Sequence, residues 1–490
     1  MKRREFLGLA ALAAASLPAC SSLDPGSGNG SYAARGSAPR KVIVLGAGLA
    51  GLATGYQLVQ AGHEVTILEA SARAGGRVRT LREPFAGGQH AEAGALFVPG
   101  NHDLTLRYLR LFGLSLAPAT PLFASRLVYV RGRRVFGGWG ASAQWPFDLT
   151  PEEQALGYRG MWDKYLMEAL GTLGEVTAPG WPSDPKVDAL DRVSAAEFLR
   201  ARGASAEAVA LLRIGYLDMY GDGIESYSAL QMLLRLALAQ PARKPFTVSG
   251  GTELLPQALA TRLDGRIRYA SPVIRIEPGE SSASVVIEKN GAHQRLTADH
   301  LVCTLPFPVL RRIEISRPFS PQKTRAIEQL PYTSVARVFL QFRRKAWTAE
   351  NLYLMTTTDL PMRWVFEHTV NQPGRRGILE AQAFGADARR LCATPEPERI
   401  EFALSQLEQI FPGLRAEYEL GTSVCWDDEP WARGAFAYFR PGQMLPLRPH
   451  LARAEGRVHF AGDHTSVWSG WMQGALESGL RAAREIIQAA

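Results

Sequence analysis

Only four cysteines, Cys20, Cys303, Cys392 and Cys425, occur in 490 residues, and they show neither a C-x-x-C nor a His-paired spacing. This argues against a zinc or iron–sulfur centre. The longest apolar run lies near the N-terminus and falls well short of the ~20 residues that a bilayer span requires. No G-x-y period or internal repeat runs through the chain, which excludes collagen-like and solenoid architectures. Lys and Arg number 55 against 47 Asp and Glu, a formal charge of +8, yet no basic run or interleaved aromatic stripe appears. A mildly basic surface is implied, without a nucleic-acid footprint. What is plentiful is apolar material: 46% hydrophobic against 21% charged residues, enough for more than one packed core.

The N-terminus reads as an address. Arg3-Arg4 precedes a moderately apolar, Ala-rich stretch from Leu7 to Leu17, the pattern of a twin-arginine export leader. Leu17-Pro18-Ala19-Cys20 is similar to a bacterial lipobox, and Ser21 to Ser37 is a Ser/Gly-rich tether. A lipidated Cys20 would hold the protein at a membrane surface without spanning it. The expectation is therefore export through the twin-arginine route to a periplasmic or lipid-anchored location.

The folded part opens with a nucleotide-binding signal. Lys41 to Leu45 is a β-branched run suited to a buried parallel strand, and it leads directly into Gly46-Ala47-Gly48-Leu49-Ala50-Gly51. Leu52 to Ala61 has helical apolar spacing, Gly62 ends it, and His63 to Leu68 reads as a second strand. In such a unit Gly46 makes the tight turn, Gly48 lets backbone amides approach a pyrophosphate, and Gly51 lets the helix pack closely. The helix dipole then faces the phosphates. Glu69, 18 residues after Gly51, is placed to accept from the ribose hydroxyls of the adenosine half. Nicotinamide and flavin dinucleotides share this fingerprint.

The next segments point to the flavin. Ala70 to Thr80 reads A-S-A-R-A-G-G-R-V-R-T, and Glu92-Ala93-Gly94-Ala95 follows. Near the other end stand Phe460-Ala461-Gly462-Asp463-His464-Thr465-Ser466 and Gly470-Trp471-Met472-Gln473-Gly474. With these segments the chain resembles the flavin-dependent amine oxidase family of monoamine, polyamine and L-amino-acid oxidases. The resemblance implies that Arg73, Gly75, Gly76 and Arg77 line the FAD pyrophosphate and ribityl chain, and that Gly94 and Ala95 approach the isoalloxazine. It further implies that the Val273 backbone meets the adenine and that Gly462 and Asp463 hold the ribityl end. The helix starting near Met472 would aim its N-terminus at the flavin pyrimidine.

An α/β fold is expected, a Rossmann-like FAD-binding domain of the glutathione-reductase type interleaved with a mixed α+β substrate-binding domain. The leader occupies 1–20 and the tether 21–40; segments 41–115, 244–312 and 455–490 build the FAD domain, and 116–243 and 313–454 the other. Within the insertions, Thr150-Pro151-Glu152-Glu153 and Ser194-Ala195-Ala196-Glu197 are helix starts, Tyr227 to Leu238 an apolar core helix, Ser334 to Phe342 a strand and Glu398 to Ile410 a helix. A glycine turn at Ser249-Gly250-Gly251 precedes a helix, and Asn290-Gly291 signals a hairpin returning through Leu301-Val302-Cys303-Thr304.

By the same resemblance, Phe436 and Trp471 are the two aromatic rings that sandwich a neutral amine before the flavin. Ala435 stands where monoamine oxidases with covalent flavin carry cysteine, so FAD should be held non-covalently. The strand Ser334 to Leu340 is similar to the one bearing the family's flavin-facing lysine, and Arg337 occupies that place. Arginine stays charged and offers a rigid fork, able to stabilise reduced flavin or clamp a carboxylate. L-amino-acid oxidases typically carry an arginine just after the E-x-G motif, where this chain reads Ala95-Leu96-Phe97. The resemblance thus implies oxidation of a primary or secondary amine to an imine by hydride transfer to flavin N5, with dioxygen or another acceptor taking the electrons. The alternatives are an L-amino-acid oxidase using Arg337 and, in another class, a lipid-anchored flavin-binding module without turnover.

Overall fold

The computed structural model describes residues 38–119, 127–137, 143–178, 180–182, 186–239, 244–289, 291–350 and 355–489. The leader, Cys20 and the tether lie outside them, as does Asn290. Among the described residues no helix is long and apolar enough to cross a bilayer.

Lys41–Leu45 is a strand whose last four residues are buried, and it sits at the centre of a five-stranded parallel sheet. The order is Val458–Phe460, His300–Cys303, Lys41–Leu45, Glu64–Leu68, Ile267–Arg268. A continuous apolar run is what a strand covered on both faces requires. Ile43 faces Leu301 on one side and Thr66 on the other. The helix Leu49–Gln60 follows the first strand, and Gly62 leaves it with φ of +88°. The C-terminal helix Met472–Gln488 packs across it so closely that a Cβ on Gly479 would lie 2.4 Å from the Ala50 carbonyl. Thr54 Oγ1 seals that crossing by donating to Gly479 O at 3.1 Å.

The hairpin differs from the sequence reading. Ala283–Lys289 pairs antiparallel with Ala292–Ala298 in a separate four-stranded sheet, completed by Val273–Glu277 and Glu314–Ile315. The chain then steps at Asp299 into the parallel sheet as His300–Cys303. Exposure gives the reason: Ala292–Ala298 is mostly solvent-facing, whereas all four residues of His300–Cys303 are buried.

The insertions 127–136 and 335–425 build a seven-stranded sheet in the order Tyr418–Cys425, Val335–Phe342, Gly377–Phe384, Trp364–Glu367, Met355–Thr358, Leu127–Val130, Arg133–Phe136. Helices gather beside it. Pro151–Tyr165 starts at a Thr150/Glu153 capping box and Ala195–Ala201 at a Ser194/Glu197 box, so their first amides are satisfied locally. Ala229–Leu238 begins after Ser228, two residues later than the expected start, because the Ser228 hydroxyl accepts from the Leu230 amide. Glu396–Ile410 covers the sheet, and a disulfide joins Cys392, at the end of helix Gly385–Cys392, to Cys425. The grouping of Cys392, Cys425 and Asp428 therefore offers no free thiolates to a metal.

Candidate active site

At the C-terminal edge of the parallel sheet, Gly46 turns the chain with φ of +98° and its amide donates to Leu68 O at 2.7 Å. The next helix begins after Gly48, which offers no side-chain cap and around which a Cβ would meet nothing within 4 Å. Unsatisfied first-turn amides facing open space form an anion cradle. A Cβ on Gly51 would lie 2.0 Å from Gly46 O, so only glycine lets the helix approach the turn. Glu69 is buried at the end of the second strand and accepts from Ala47 N at 2.7 Å, Ser71 N at 2.8 Å and Ser71 Oγ at 2.7 Å. A carboxylate has about four acceptor directions, which leaves room for a ribose hydroxyl. Ser271 N donates to Glu69 O at 2.9 Å, which starts the strand Val273–Glu277 two residues beyond that contact.

The two arginines of the Gly75-Gly76 loop part company. Gly75 N bonds Ala47 O at 2.8 Å, holding the loop over the cradle. Arg73 folds onto its own loop, donating to Gly76 O at 2.7 Å and Val78 O at 3.2 Å, and its burial lowers its pKa. Arg77 reaches across the molecule instead, donating to Ala435 O at 2.8 Å and Asp463 Oδ1 at 2.5 Å. Asp463 Oδ2 accepts from Gly470 N at 2.8 Å. Burial favours the neutral Asp463 acid, but Arg77 beside it wins and holds the carboxyl below its ordinary range. One ion pair thus fastens the N-terminal motif, the Ala435 loop and the C-terminal motif together. Gly462, at φ of +125°, donates its amide to Ser478 Oγ.

Glu92 is buried, accepting from Thr252 N at 3.0 Å, Thr80 Oγ1 at 2.9 Å and Thr252 Oγ1, and burial raises its pKa. A Cβ on Gly94 would come within 1.9 Å of Arg77 O, so the segment lies flat against the arginine loop. Ala95 O accepts from Thr252 Oγ1 at 2.8 Å. Arg337 is turned toward this backbone: its Nη1 donates to Glu92 O and Gly94 O, both at 2.8 Å, and its Nε lies 3.3 Å from Glu380 Oε1. Glu380 is fully buried and also meets His368 Nε2 at 2.6 Å, while His368 Nδ1 accepts from Glu92 N at 3.1 Å. Burial pushes the Glu380 carboxyl up, and Arg337 and His368 more than offset this. The Arg337 fork is largely committed to protein groups, which leaves it poorly placed to clamp a substrate carboxylate.

Trp471 is the N-cap of the C-terminal helix and makes no side-chain cap, so the first helix amides, at Met472 and Gln473, have no partner within the helix, while Gly474 N donates to Trp471 O at 3.1 Å. Gly470, at φ of +78°, lies so near Phe436 that its Cβ would sit 3.4 Å from the phenylalanine Cβ. Phe436 and Trp471, 35 positions apart, are therefore brought to one place, both half-buried. Around them stand three residues the sequence reading did not single out. Tyr220 meets Phe436 edge-on at 5.4 Å, His102 meets Trp471 at 5.0 Å, and Arg235 Cζ lies 5.2 Å from the Tyr220 ring and 5.8 Å from the Trp471 ring. The signal for Arg235 was present: a lone charge within the apolar stretch ALQMLLRLAL.

The open cradle at Gly48, the buried acid at Glu69 and the paired Arg77 and Asp463 fit an FAD. Such a site on this fold defines a flavin-binding amine oxidoreductase, and the family described as flavin containing amine oxidoreductase matches residues 49–487; the chain belongs to it. Among its relatives, YobN of Bacillus subtilis (strain 168) is 32% identical, covering 91% of this chain and 95% of that one. An L-amino-acid oxidase of Gloydius blomhoffii is 27% identical over 92% and 90% of the two chains. In three dimensions the fold is similar to a putrescine oxidase triple mutant, with a TM-score of 0.81, 23% identity and coverage of 92% and 99%. Cyclohexylamine oxidase from Brevibacterium oxydans IH-35A gives 0.80 at 21% identity.

Proposed function

We propose that the protein oxidises a primary or secondary amine to its imine at the Phe436–Trp471 pair, using non-covalently held FAD. The observation that carries this reading is the meeting of Gly470-Trp471 with Phe436 beside the Arg77–Asp463 pair. A bound FAD would supply the acceptor for a hydride from the amine Cα–H, with dioxygen as the final acceptor of the electron pair and hydrogen peroxide as its product. The chain's own task is orientation and exclusion of water. Phe436 and Trp471 present π faces to the amine nitrogen, and its desolvation between them, with the Arg235 cation 5.8 Å from the Trp471 ring, favours the unprotonated form. The first-turn amides at Met472 and the Gly48 cradle supply positive ends for the pyrimidine and pyrophosphate. Arg77, Asp463, Gly75, Gly76 and Glu69 hold the remaining polar groups. Arg337 fixes the Glu92–Gly94 backbone and keeps a positive charge beside the site. The released imine hydrolyses in solution to a carbonyl compound and ammonia or a smaller amine.

Ala435 offers no sulfur for attachment, which supports non-covalent binding; acid precipitation should release a yellow chromophore into the supernatant. The two-domain division at 116, 244, 313 and 455 accords with strands of the two large sheets coming from different segments. Export through the twin-arginine route, with Cys20 lipidated at a periplasmic membrane face, agrees with the Cys392–Cys425 disulfide, a bond typical of oxidising compartments. An anaerobic screen of flavin bleaching against amines and amino acids, followed by air, tests the reading. Bleaching by a member of the panel with peroxide on re-aeration is expected; a flavin that no amine bleaches would favour the module without turnover.

A further inference from the structure

Arg235 projects from a helix whose other residues are almost all apolar, and it is 7% exposed. A buried guanidinium without a counter-charge is costly, and such groups are ordinarily paired. Among the described residues Arg235 forms no ion pair. Its Nη1 donates to Ser469 O, and its Nε has no partner. Burial lowers its pKa, but the Tyr220 and Tyr216 phenols facing it hold it up, so it stays charged. His102, the other basic group at this place, is pushed down to about 3 by burial and by Arg235 itself, and is neutral.

Polar atoms from three separate segments remain unpartnered here, Arg235 Nε, His102 Nδ1 and Ser469 Oγ, and the Tyr220 phenol turns toward Arg235 beside them. Arg235, Tyr220 and His102 are each more than nine-tenths buried. They surround the two rings assigned to the amine. Buried unsatisfied groups of this density mark a place that a polar ligand completes. Arginine presents a planar fork that a carboxylate matches with two parallel hydrogen bonds, and a phenol beside it can donate a third.

We infer that Arg235 anchors a carboxylate of the substrate, so that the amine oxidised at Phe436 and Trp471 is an amino acid. This rests on the reading that the site oxidises an amine, and it assigns the carboxylate role to Arg235 in place of Arg337. Tyr220 supports the anchor, and neutral His102 adds no second charge.

The test uses the flavin-loaded enzyme and pairs of compounds that differ only in the carboxylate: L-phenylalanine with phenethylamine, L-leucine with isopentylamine, L-lysine with cadaverine. The wild type should favour the amino acid in the pair it accepts. Arg235→Met should reduce that amino-acid-to-amine ratio of kcat/KM by about a hundredfold, mainly through KM, and Arg235→Lys should restore part of it. Calorimetric titration with 3-phenylpropionate and its uncharged amide gives a readout without turnover, with only the acid binding the wild type and Arg235→Met binding neither. Preference for the amine within every pair, or an unchanged ratio in flavin-loaded Arg235→Met, overturns the inference. Bleaching of wild-type flavin by amines alone would overturn it while sustaining the amine reading; no bleaching by any compound would overturn both.

Discussion

At the residue scale, the site depends on a few side chains whose partners lie far away in sequence. Trp471→Ala should lower kcat/KM by about a hundredfold with flavin content retained, because in the proposed function the ring orients the amine without binding the cofactor's polar groups. Stopped-flow reduction rates and the 450 nm absorbance of the purified variant check this. Arg337→Met removes the cation beside buried Glu380, and an uncompensated buried charge costs about 3–5 kcal/mol. Denaturant unfolding should show a loss of that order, with a smaller one for Arg337→Lys. The glycines at 46, 48 and 51 and the acid at 69 were legible because their roles follow from short-range spacing on one strand–turn–helix unit. The Arg337 contacts were not, since its strand position is set by local pattern but its carbonyl partners are about 240 residues away.

Elements carry the next level. The first and last helices touch through backbone at Gly479 and Ala50. Gly479→Val must separate them, and since both helices start at the turns proposed to face the cofactor, the variant should purify with depleted flavin and a lower Tm. The disulfide ties helix Gly385–Cys392 to strand Tyr418–Cys425 across 33 positions. A paired Cys392→Ala and Cys425→Ala variant should lose about 2–4 kcal/mol in equilibrium unfolding, the loop-closure effect on the unfolded chain. Helix starts at Thr150 and Ser194 were readable within four residues, the first from Pro151 and the acids behind it and the second from a capping box, and the structure completes a capping box at both. The pairing of Cys392 with Cys425 was not, because connectivity depends on which strands and helices meet.

For the whole molecule, acid should be the sensitive direction. Burial holds His102 and His464 neutral, pushing each from 6.5 to about 3. A folded pKa below the unfolded one means their contribution is complete above pH 6.5 and is lost as pH falls toward 3. The loss by pH 4 is on the order of several kcal/mol, comparable with the stability of a whole domain. Tm measured from pH 7.5 to 4 should therefore fall with steepening slope below 6.5; a flat profile would contradict the buried, neutral state of these rings.

Local grammar, a β-branched run, spaced glycines and a terminal acid, was enough to specify a dinucleotide-binding unit, since it works over a few turns of backbone, while the two flavin motifs were legible through their resemblance to a family. Which charges meet was settled only by folding. Arg77 finds Asp463 386 positions away, Arg337 is drawn to the Glu92–Gly94 backbone and Glu380, and Arg235 is left beside Trp471 without an acid among the described residues. Electrostatic pairing depends on distance in space and on exclusion of water, and neither is a property of position along the chain.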